Sequence, residues 1–391
     1  MTREERLIAF CQEAIRTPSF SGRERAAAEL MKRKMAEYGF DEVQVDRYGS
    51  VLGRIRGKRP GKTILMDGHI DHVDVIDAES WIHDPFGGEI EDGRIYGRAA
   101  SDMKGSVTAM ISAAAWLAED TDRDFAGEIY ISCTVHEECF EGISSREISR
   151  VAKPDFVIIG EATSATVKIG QRGRAEVVVE TEGVSCHSSN PEKGVNAVYH
   201  MMAVIEEIRK IVPNEHPILG KGILELTDIV SAPYPGASVV PALCRATFDR
   251  RTLVGEDEAV ILGQVEEAIR RAQERIPELK ARVYLAEGSE ACWTGEIISA
   301  KRYFPAWVVD ENSELVQAAL EGLKEAGIDA PISHFSFCTN GSHFCGEAGI
   351  PTIGFGPSLE SLAHVLDEYI EIEQLTRACR GFYGILSRLT R

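Results

Sequence analysis

Two hydrophobic periods alternate along this chain, and the points where one replaces the other mark its elements. Near the start Leu7, Ile8, Cys11 and Ile15 recur at helical spacing, and a second helix is predicted over 23–38. DEVQVDRYGSVLGRIRG, 41–57, then alternates with period two and reads as a hairpin. KTILMDGHIDHVDV, GEIYISCTVHEE and DFVIIGEAT are buried strands that run into polar turns. GRIYGRAASDMKG, 93–105, is a glycine-rich loop leading into the apolar helix GSVTAMISAAAWLA, and Gly97 and Gly105 suggest that the backbone turns tightly there. Buried strands alternating with helices indicate an α/β fold with a largely parallel sheet.

The pattern changes near Gln171. RAEVVVETEGV is a strand, the segment up to IEEIRKIV a loop and helix, SVVPALCRATFDRR a strand, EDEAVILGQVEEAIRRAQERI a helix and KARVYLAEG a strand. After WTGE the alternation of helices and buried strands resumes with ENSELVQAALEGLKEAG, ISHFSFCTNGSHF, IPTIGFGP and a final helix from Ile372. The expected organisation is a catalytic α/β domain over 1–171 and 291–391, interrupted by a small α+β insert over 172–290. A chain of 391 residues makes two domains the natural expectation.

Composition narrows the class only a little. Hydrophobic residues at 44% and charged residues at 27% are ordinary globular values. A net charge of −19 argues against nucleic acid as the main partner. The apolar stretch at 105–118 is too short to span a bilayer, so no membrane partner is expected. The start shows no export signal and the nine cysteines form no CxxC pairs, which favours reduced thiols and a cytoplasmic location.

The chemistry gathers where the strands end. His69 and Asp71 lie two apart, so both side chains can share a face; a ligating histidine often gives its second N–H to such a carboxylate. His72 and Asp74 form a competing pair one register off. Asp102 precedes a helix and, taken alone, also reads as an N-cap. Glu137 and Glu138 follow a buried strand, where adjacent acids are costly unless something neutralises them. Glu161 ends a third buried strand, and His364 sits in the polar loop SLAHVLDEY. Two histidines and several carboxylates make a donor set that suits zinc, with cobalt or manganese as substitutes. The loop 97–105 lacks both GxGxxG and GxxxxGK[ST], so a nucleotide-type binder has little support.

GHIDHVDV, GRAASDMKGSVTAM, HEE, GEAT and AHVLDEY, in this order, resemble the co-catalytic dizinc amidohydrolases and exopeptidases. That family includes aminoacylase, acetylornithine deacetylase, succinyl-diaminopimelate desuccinylase and glutamate carboxypeptidase. GQRGR, GVSCH, LGKG, FSFCTNG and IGFGP look most like the branch linked to selenium metabolism. The resemblance implies a three-layer catalytic domain with a mixed, largely parallel sheet, and an inserted lid and dimerisation domain. It implies two divalent metals, zinc foremost, bridged by Asp102. His69 and Glu161 would complete one site, Glu138 and His364 the other. Glu137 would be the general base that activates a shared water, with Asp71 as the partner of His69. The peptide bond after Asp102 is typically cis in the family. The family usually has Asp where this chain has His136, a position that is not a ligand in the pattern.

The lid is carried over in the same way. His187 matches an oxyanion-stabilising histidine supplied by the partner of a homodimer. Arg250 matches an arginine that grips a substrate carboxylate, and Arg251 is its neighbour and rival. Thr339, Asn340 and Gly341 match a loop lining the substrate site. The expected function is hydrolysis of an N-acyl amino acid, a deacylase of the acetylornithine deacetylase and desuccinylase type. A dipeptidase or carboxypeptidase acting on short peptides is the alternative within the family, and a metal-binding homologue without catalysis is the alternative outside enzymes.

Overall fold

A computed structural model describes residues 1–391, and the chain divides into two compact units. Unit 1 comprises Met1–Gln171, Ser289–Ser299 and Trp307–Arg391; unit 2 comprises Arg172–Gly288 and Ala300–Ala306. The expected insert over 172–290 therefore differs at its far end. Residues 300–306 join unit 2 because Tyr303–Phe304 pairs antiparallel with Gly173–Glu182.

Unit 1 is built on a nine-stranded mixed sheet. Its order is Glu42–Val45, Val51–Arg56, Ala126–Thr134, Arg59–His69, Phe156–Ile159, Thr352–Gly354, Val167–Gln171 and Trp307–Val308, with Ile332–Phe335 also on Val167–Gln171. The hairpin predicted over 41–57 forms its edge, Glu42–Val45 against Val51–Arg56. At the centre, Arg59–His69 runs parallel to both Ala126–Thr134 and Phe156–Ile159. These strands are buried on both faces, which explains why they read as continuous apolar runs. The register sets His69 opposite Thr134 and Asp67 opposite Ile159, so three parallel strands finish at one level. Side chains just beyond those ends are brought together.

Helices cover the sheet. Arg3–Ile15 opens with a capping box: Thr2 Oγ1 accepts from the Glu5 amide at 3.1 Å, and Glu5 Oε2 accepts from the Thr2 amide at 2.7 Å. Gly105–Asp120 is rich in strong helix formers and almost wholly buried, and it packs on the C-terminal helix Ile372–Leu389. Glu314–Glu325 crosses that last helix at very close range: a Cβ on Gly384 would lie 2.3 Å from the Gly322 carbonyl oxygen. A small three-stranded sheet pairs Arg94–Tyr96 with Tyr369–Glu371, drawing together two segments more than 270 positions apart in sequence. No helix is long and apolar enough to cross a membrane.

Unit 2 is an antiparallel sheet in the order Ile223–Ala232, Leu243–Thr252, Gly173–Glu182, Lys280–Leu285. The Ala197–Ile208 and Glu258–Arg275 helices, capped by Asn196 and Asp257, bury Met201, Val204, Ile261, Val265 and Ile269 against Val177, Val179 and Phe248. The strand Ile223–Ala232 was not expected from the sequence; it is an edge strand with long exposed stretches, so no apolar run announced it.

The loop before the buried helix differs from expectation in detail. Gly97 has φ 146°, as a tight turn requires, but Gly105 is helical and is needed for close approach: a Cβ there would meet the Ala100 carbonyl oxygen at 2.5 Å. Asp102 is not an N-cap. It lies at φ −125° and ψ 89°, outside helical geometry, and the Asp102–Met103 peptide is cis. Lys104 is fully buried and donates to the Thr17 carbonyl at 2.6 Å; burial pushes its ammonium down to about 7. A base with a depressed folded-state pKa binds fewer protons than in the unfolded chain between that value and 10.5. Stability from this group therefore rises with pH across that window. In thermal unfolding of Lys104→Met beside the parent chain, the Tm difference should move in the parent's favour from pH 7 to 10; a constant difference would contradict a buried neutral lysine.

Candidate metal centre

Five expected ligand residues come together in unit 1. His69 is the last residue of its strand and is buried. Its Nε2 faces Asp102 Oδ1 at 3.0 Å and Glu161 Oε1 at 3.4 Å. His364 Nε2 faces the other Asp102 oxygen, Oδ2, at 3.1 Å, and Glu138 Oε2 at 3.1 Å. Asp102 thus presents one oxygen to each histidine. One imidazole nitrogen carries at most one proton, so it cannot satisfy two carboxylates by donation. What both half-sites share is the donor spacing around a cation: bonds of about 2.0 Å in tetrahedral geometry put neighbouring ligand atoms roughly 3.3 Å apart. The donor chemistry and spacing fit two borderline divalent ions with Asp102 common to both.

Glu137 completes the arrangement. It is buried, and its Oε1 has no hydrogen-bond partner. An unpartnered buried carboxylate oxygen is costly and points to a group that the side chain meets in function. Glu137 also lies with His69 and Glu161 in a group whose ligand atoms fall within 4.8 Å of one another.

The crowding shows in the protonation energetics. Burial, reinforced by neighbouring acids, pushes the Glu137 carboxyl well above its ordinary value. Burial and the Asp102 charge push Glu138 up to about 7 and raise Glu161. Asp102 resists burial, because hydrogen bonds from His364 and His69 hold it below the usual carboxylate range. The same bonds lift His364 to about 10, and His69 rises despite burial through the Glu161 charge.

The supporting residues depart from expectation in instructive ways. Asp71 does not orient His69 through its carboxylate, which stands 3.7 Å from Nδ1; the Asp71 backbone carbonyl accepts that N–H at 2.9 Å. The carboxylate instead accepts from the Glu137 amide at 3.1 Å, the Glu138 amide at 3.2 Å and Ser21 Oγ at 2.8 Å. The His72–Asp74 alternative does not form. The Ser19 amide donates to His72 Nε2 at 2.9 Å and Nδ1 lies 2.8 Å from the Val73 carbonyl, while Asp74 is exposed. Glu137 and Glu138 also do not stand at a strand end on opposite faces; the strand stops at Thr134, and a turn entered through His136 at φ 56° carries them.

Thr339 and Asn340 are buried, and their side chains are committed internally. Asn340 Nδ2 donates to Asp67 Oδ2 at 2.8 Å and Thr134 Oγ1 at 2.9 Å, and its Oδ1 accepts from the Gly142 amide at 2.7 Å. Thr339 Oγ1 donates to Gln171 Oε1 at 2.6 Å and accepts from the Gly341 amide at 3.0 Å. Gly341 is buried too, and a Cβ there would sit 2.5 Å from Trp307 Nε1. These three residues brace the strand ends.

Two supports were not anticipated from the sequence. Glu368, buried, accepts from the Ser101 amide at 2.9 Å, the Asp102 amide at 3.0 Å and Arg98 Nη1 at 2.6 Å, and so fixes the backbone that presents Asp102. It lies in the same AHVLDEY motif as His364, which was the available signal. Asp67, inside ILMDGH, is an acid within a buried strand and for that reason alone called for a partner.

In unit 2, His187 is exposed; its Nδ1 accepts from the Ser189 amide at 3.1 Å, which puts the proton of the neutral ring on Nε2. Arg250 is buried and donates through Nη2 to Glu256 at 2.9 Å, while its Nε and Nη1 are unpartnered. Arg251 instead closes on both oxygens of Asp249, at 2.8 and 3.2 Å. Of the two arginines, Arg250 keeps free donors.

The chain is similar to known proteins along nearly its whole length. The model of peptidase family M20/M25/M40 matches residues 65–388. The Escherichia coli protein YgeY is 33% identical over 97% of this chain and 93% of its own length. A succinyl-diaminopimelate desuccinylase of Cereibacter sphaeroides is 29% identical over 94% of each chain. Aminopeptidase PepT of Bacillus cereus shares the fold at a TM-score of 0.76 and 17% identity, covering 99% of this chain and 98% of that one.

If protons stand where cations bind, loading must release them. His364 holds its proton up to about pH 10, so apparent affinity should climb with pH across the neutral range. Zinc titrations of metal-free protein from pH 6 to 8, each in two buffers of different ionisation enthalpy, check this; heats that do not depend on the buffer would contradict it.

Proposed function

This chain belongs to peptidase family M20/M25/M40, and we propose that it is a dimetal amide hydrolase acting on N-acyl amino acids. The observation that carries the reading is Asp102, whose two oxygens each face a different histidine beside an unpartnered Glu137. His69, Asp102 and Glu161 would hold one ion, and His364, Asp102 and Glu138 the other, with zinc as the metal and cobalt or manganese as substitutes. When bound, the two ions lower the pKa of a shared water and polarise the scissile carbonyl.

The chain's own residues do the rest. Glu137 takes the proton from the attacking water on its free Oε1 and passes it to the leaving nitrogen. Asp71, by holding the Glu137 and Glu138 amides, keeps the base in step with its ligand neighbour. His187, contributed by a second copy in a homodimer, donates from Nε2 to the developing oxyanion. Arg250 offers the substrate carboxylate a charge-assisted hydrogen bond from Nε or Nη1, the donors that Glu256 leaves without a partner. A substrate that carries a free carboxylate beside a secondary amide fits both demands. The desuccinylase relative at 29% identity supports an acyl amino acid over a longer peptide.

Turnover of N-acetyl, N-succinyl and N-formyl amino acids should exceed that of dipeptides when each is assayed with zinc, cobalt and manganese. Preferential dipeptide cleavage would turn the reading toward the peptidases. Glu137→Gln should keep both metals and lose about 10²–10⁴-fold in kcat. His364→Ala should bind one equivalent fewer by elemental analysis. Near-normal turnover in the first variant, or unchanged stoichiometry in the second, would sink the assignment.

A further inference from the structure

A second group of ligand-type side chains stands apart from the Asp102 cluster. His136, Cys139 and Glu290 bring an imidazole nitrogen, a thiol sulfur and a carboxylate oxygen within 4.8 Å of one another, all in unit 1. His136 is fully buried with the Ala291 backbone close to its ring, and neither ring nitrogen closes a hydrogen bond of good geometry. A buried imidazole normally gives one nitrogen to a donor and the other to an acceptor. Here Glu290 Oε2 stands 3.8 Å from Nδ1, too far for a hydrogen bond. That spacing is close to the edge of a tetrahedral site, roughly 3.3 Å between ligands about 2.0 Å from the ion.

The walls of the cluster are already in place. His136 and Cys139 belong to one tight turn, closed by the Phe140 amide on the His136 carbonyl at 2.8 Å. Glu290 is carried by Glu287–Ala291, and the residues that follow are moored to unit 1. Trp293 Nε1 donates to the Gly49 carbonyl at 3.3 Å, Arg25 Nη2 donates to the Trp293 carbonyl at 3.2 Å, and Thr294 Oγ1 donates to the Arg47 carbonyl at 2.7 Å. Gly22 lies against the cluster: a Cβ there would meet the Ala291 carbonyl oxygen at 2.8 Å and His136 Cε1 at 3.6 Å. Cys139 and Glu290 are partly exposed, so an ion has a way in.

We propose that His136, Cys139 and Glu290 form a separate binding site for one borderline divalent ion, zinc foremost. Nitrogen, sulfur and carboxylate oxygen form a softer donor set than the sulfur-free cluster around Asp102. Binding forms a metal–sulfur bond and sends the thiol proton to solvent. The ion ties the turn that bears Glu137 and Glu138 to the 289–299 segment, and so restrains the base and its neighbour without taking part in proton transfer. Three protein ligands leave a fourth position for solvent.

The sulfur makes the site separable from the Asp102 cluster. Full-length protein is stripped of metal, loaded with cobalt(II), and examined for thiolate-to-cobalt charge transfer in the near ultraviolet. The band should be present in the parent chain, absent in Cys139→Ser, and retained in His364→Ala. Zinc content should fall by one equivalent in Cys139→Ser, and Glu290→Gln should weaken this ion by at least about tenfold, the least that loss of even an outer partner costs a metal site. Circular dichroism of each variant confirms that it is folded. No band in the parent, an undiminished band in Cys139→Ser, or its loss in His364→Ala would each overturn the proposal. Because the band reports only the sulfur site, its outcome is distinct from any failure of the dimetal reading.

Discussion

Four carboxylates, those of Asp102, Glu137, Glu138 and Glu161, crowd one largely buried region, and that repulsion is the constraint around which unit 1 is organised. Buried like charges persist only if positive charge or protons compensate them. Here the compensation is built in two tiers. Two histidines meet the carboxylates directly, each reaching a different oxygen of Asp102. Burial then raises the proton affinity of Glu137, Glu138 and Glu161.

The sheet makes this crowding possible. Ala126–Thr134, Arg59–His69 and Phe156–Ile159 are neighbours and parallel, so the turns that follow them open on the same edge. Parallel strands need long crossovers, which is why residues at 69, 137 and 161 can meet while their sequence positions lie far apart. Asn340 bridges Asp67 and Thr134 just inside that edge and locks two of the strands to each other. From the other side, the short sheet between Arg94–Tyr96 and Tyr369–Glu371 delivers Glu368 to the Ser101 and Asp102 amides. His364 and Glu368 thus act together four residues apart, one opposite the Asp102 carboxylate and the other on its backbone.

The sheet class was legible in the sequence through apolar runs of strand length, and the residues that gather around Asp102 were legible through ordered motifs that resemble a known family. His72 shows the limit of that reading, since GHIDHVDV offers two histidine–acid pairs and only the fold decides that His72 is satisfied by Ser19 and Val73. The supports were less legible because their partners are remote. Glu368 meets Arg98 across 270 positions and Asn340 meets Asp67 across 273, and no period or spacing records such a contact. The strand Ile223–Ala232 was hidden for a different reason: exposed at an edge, it carries no continuous apolar run. Residues 300–306 fell on the wrong side of the expected boundary because their pairing partner, Gly173–Glu182, lies more than a hundred positions before them.

Asp71 is where expectation and structure part most usefully. A carboxylate orienting His69 would have served one ligand only. With the backbone carbonyl taking that task, the carboxylate is free to hold the consecutive amides of Glu137 and Glu138. In the function proposed above those two side chains have opposed tasks, one to bind and one to move protons, so their relative position matters more than the position of either. One carboxylate, with a different oxygen on each of the adjacent amides, couples them, so a shift of the turn carries both side chains together. Pre-organisation of this kind lets a turn, intrinsically less rigid than a strand, present reactive groups with strand-like precision. His136 and Cys139 lie on the same turn, so the ion site proposed with Glu290 acts on the same coupling from its other end.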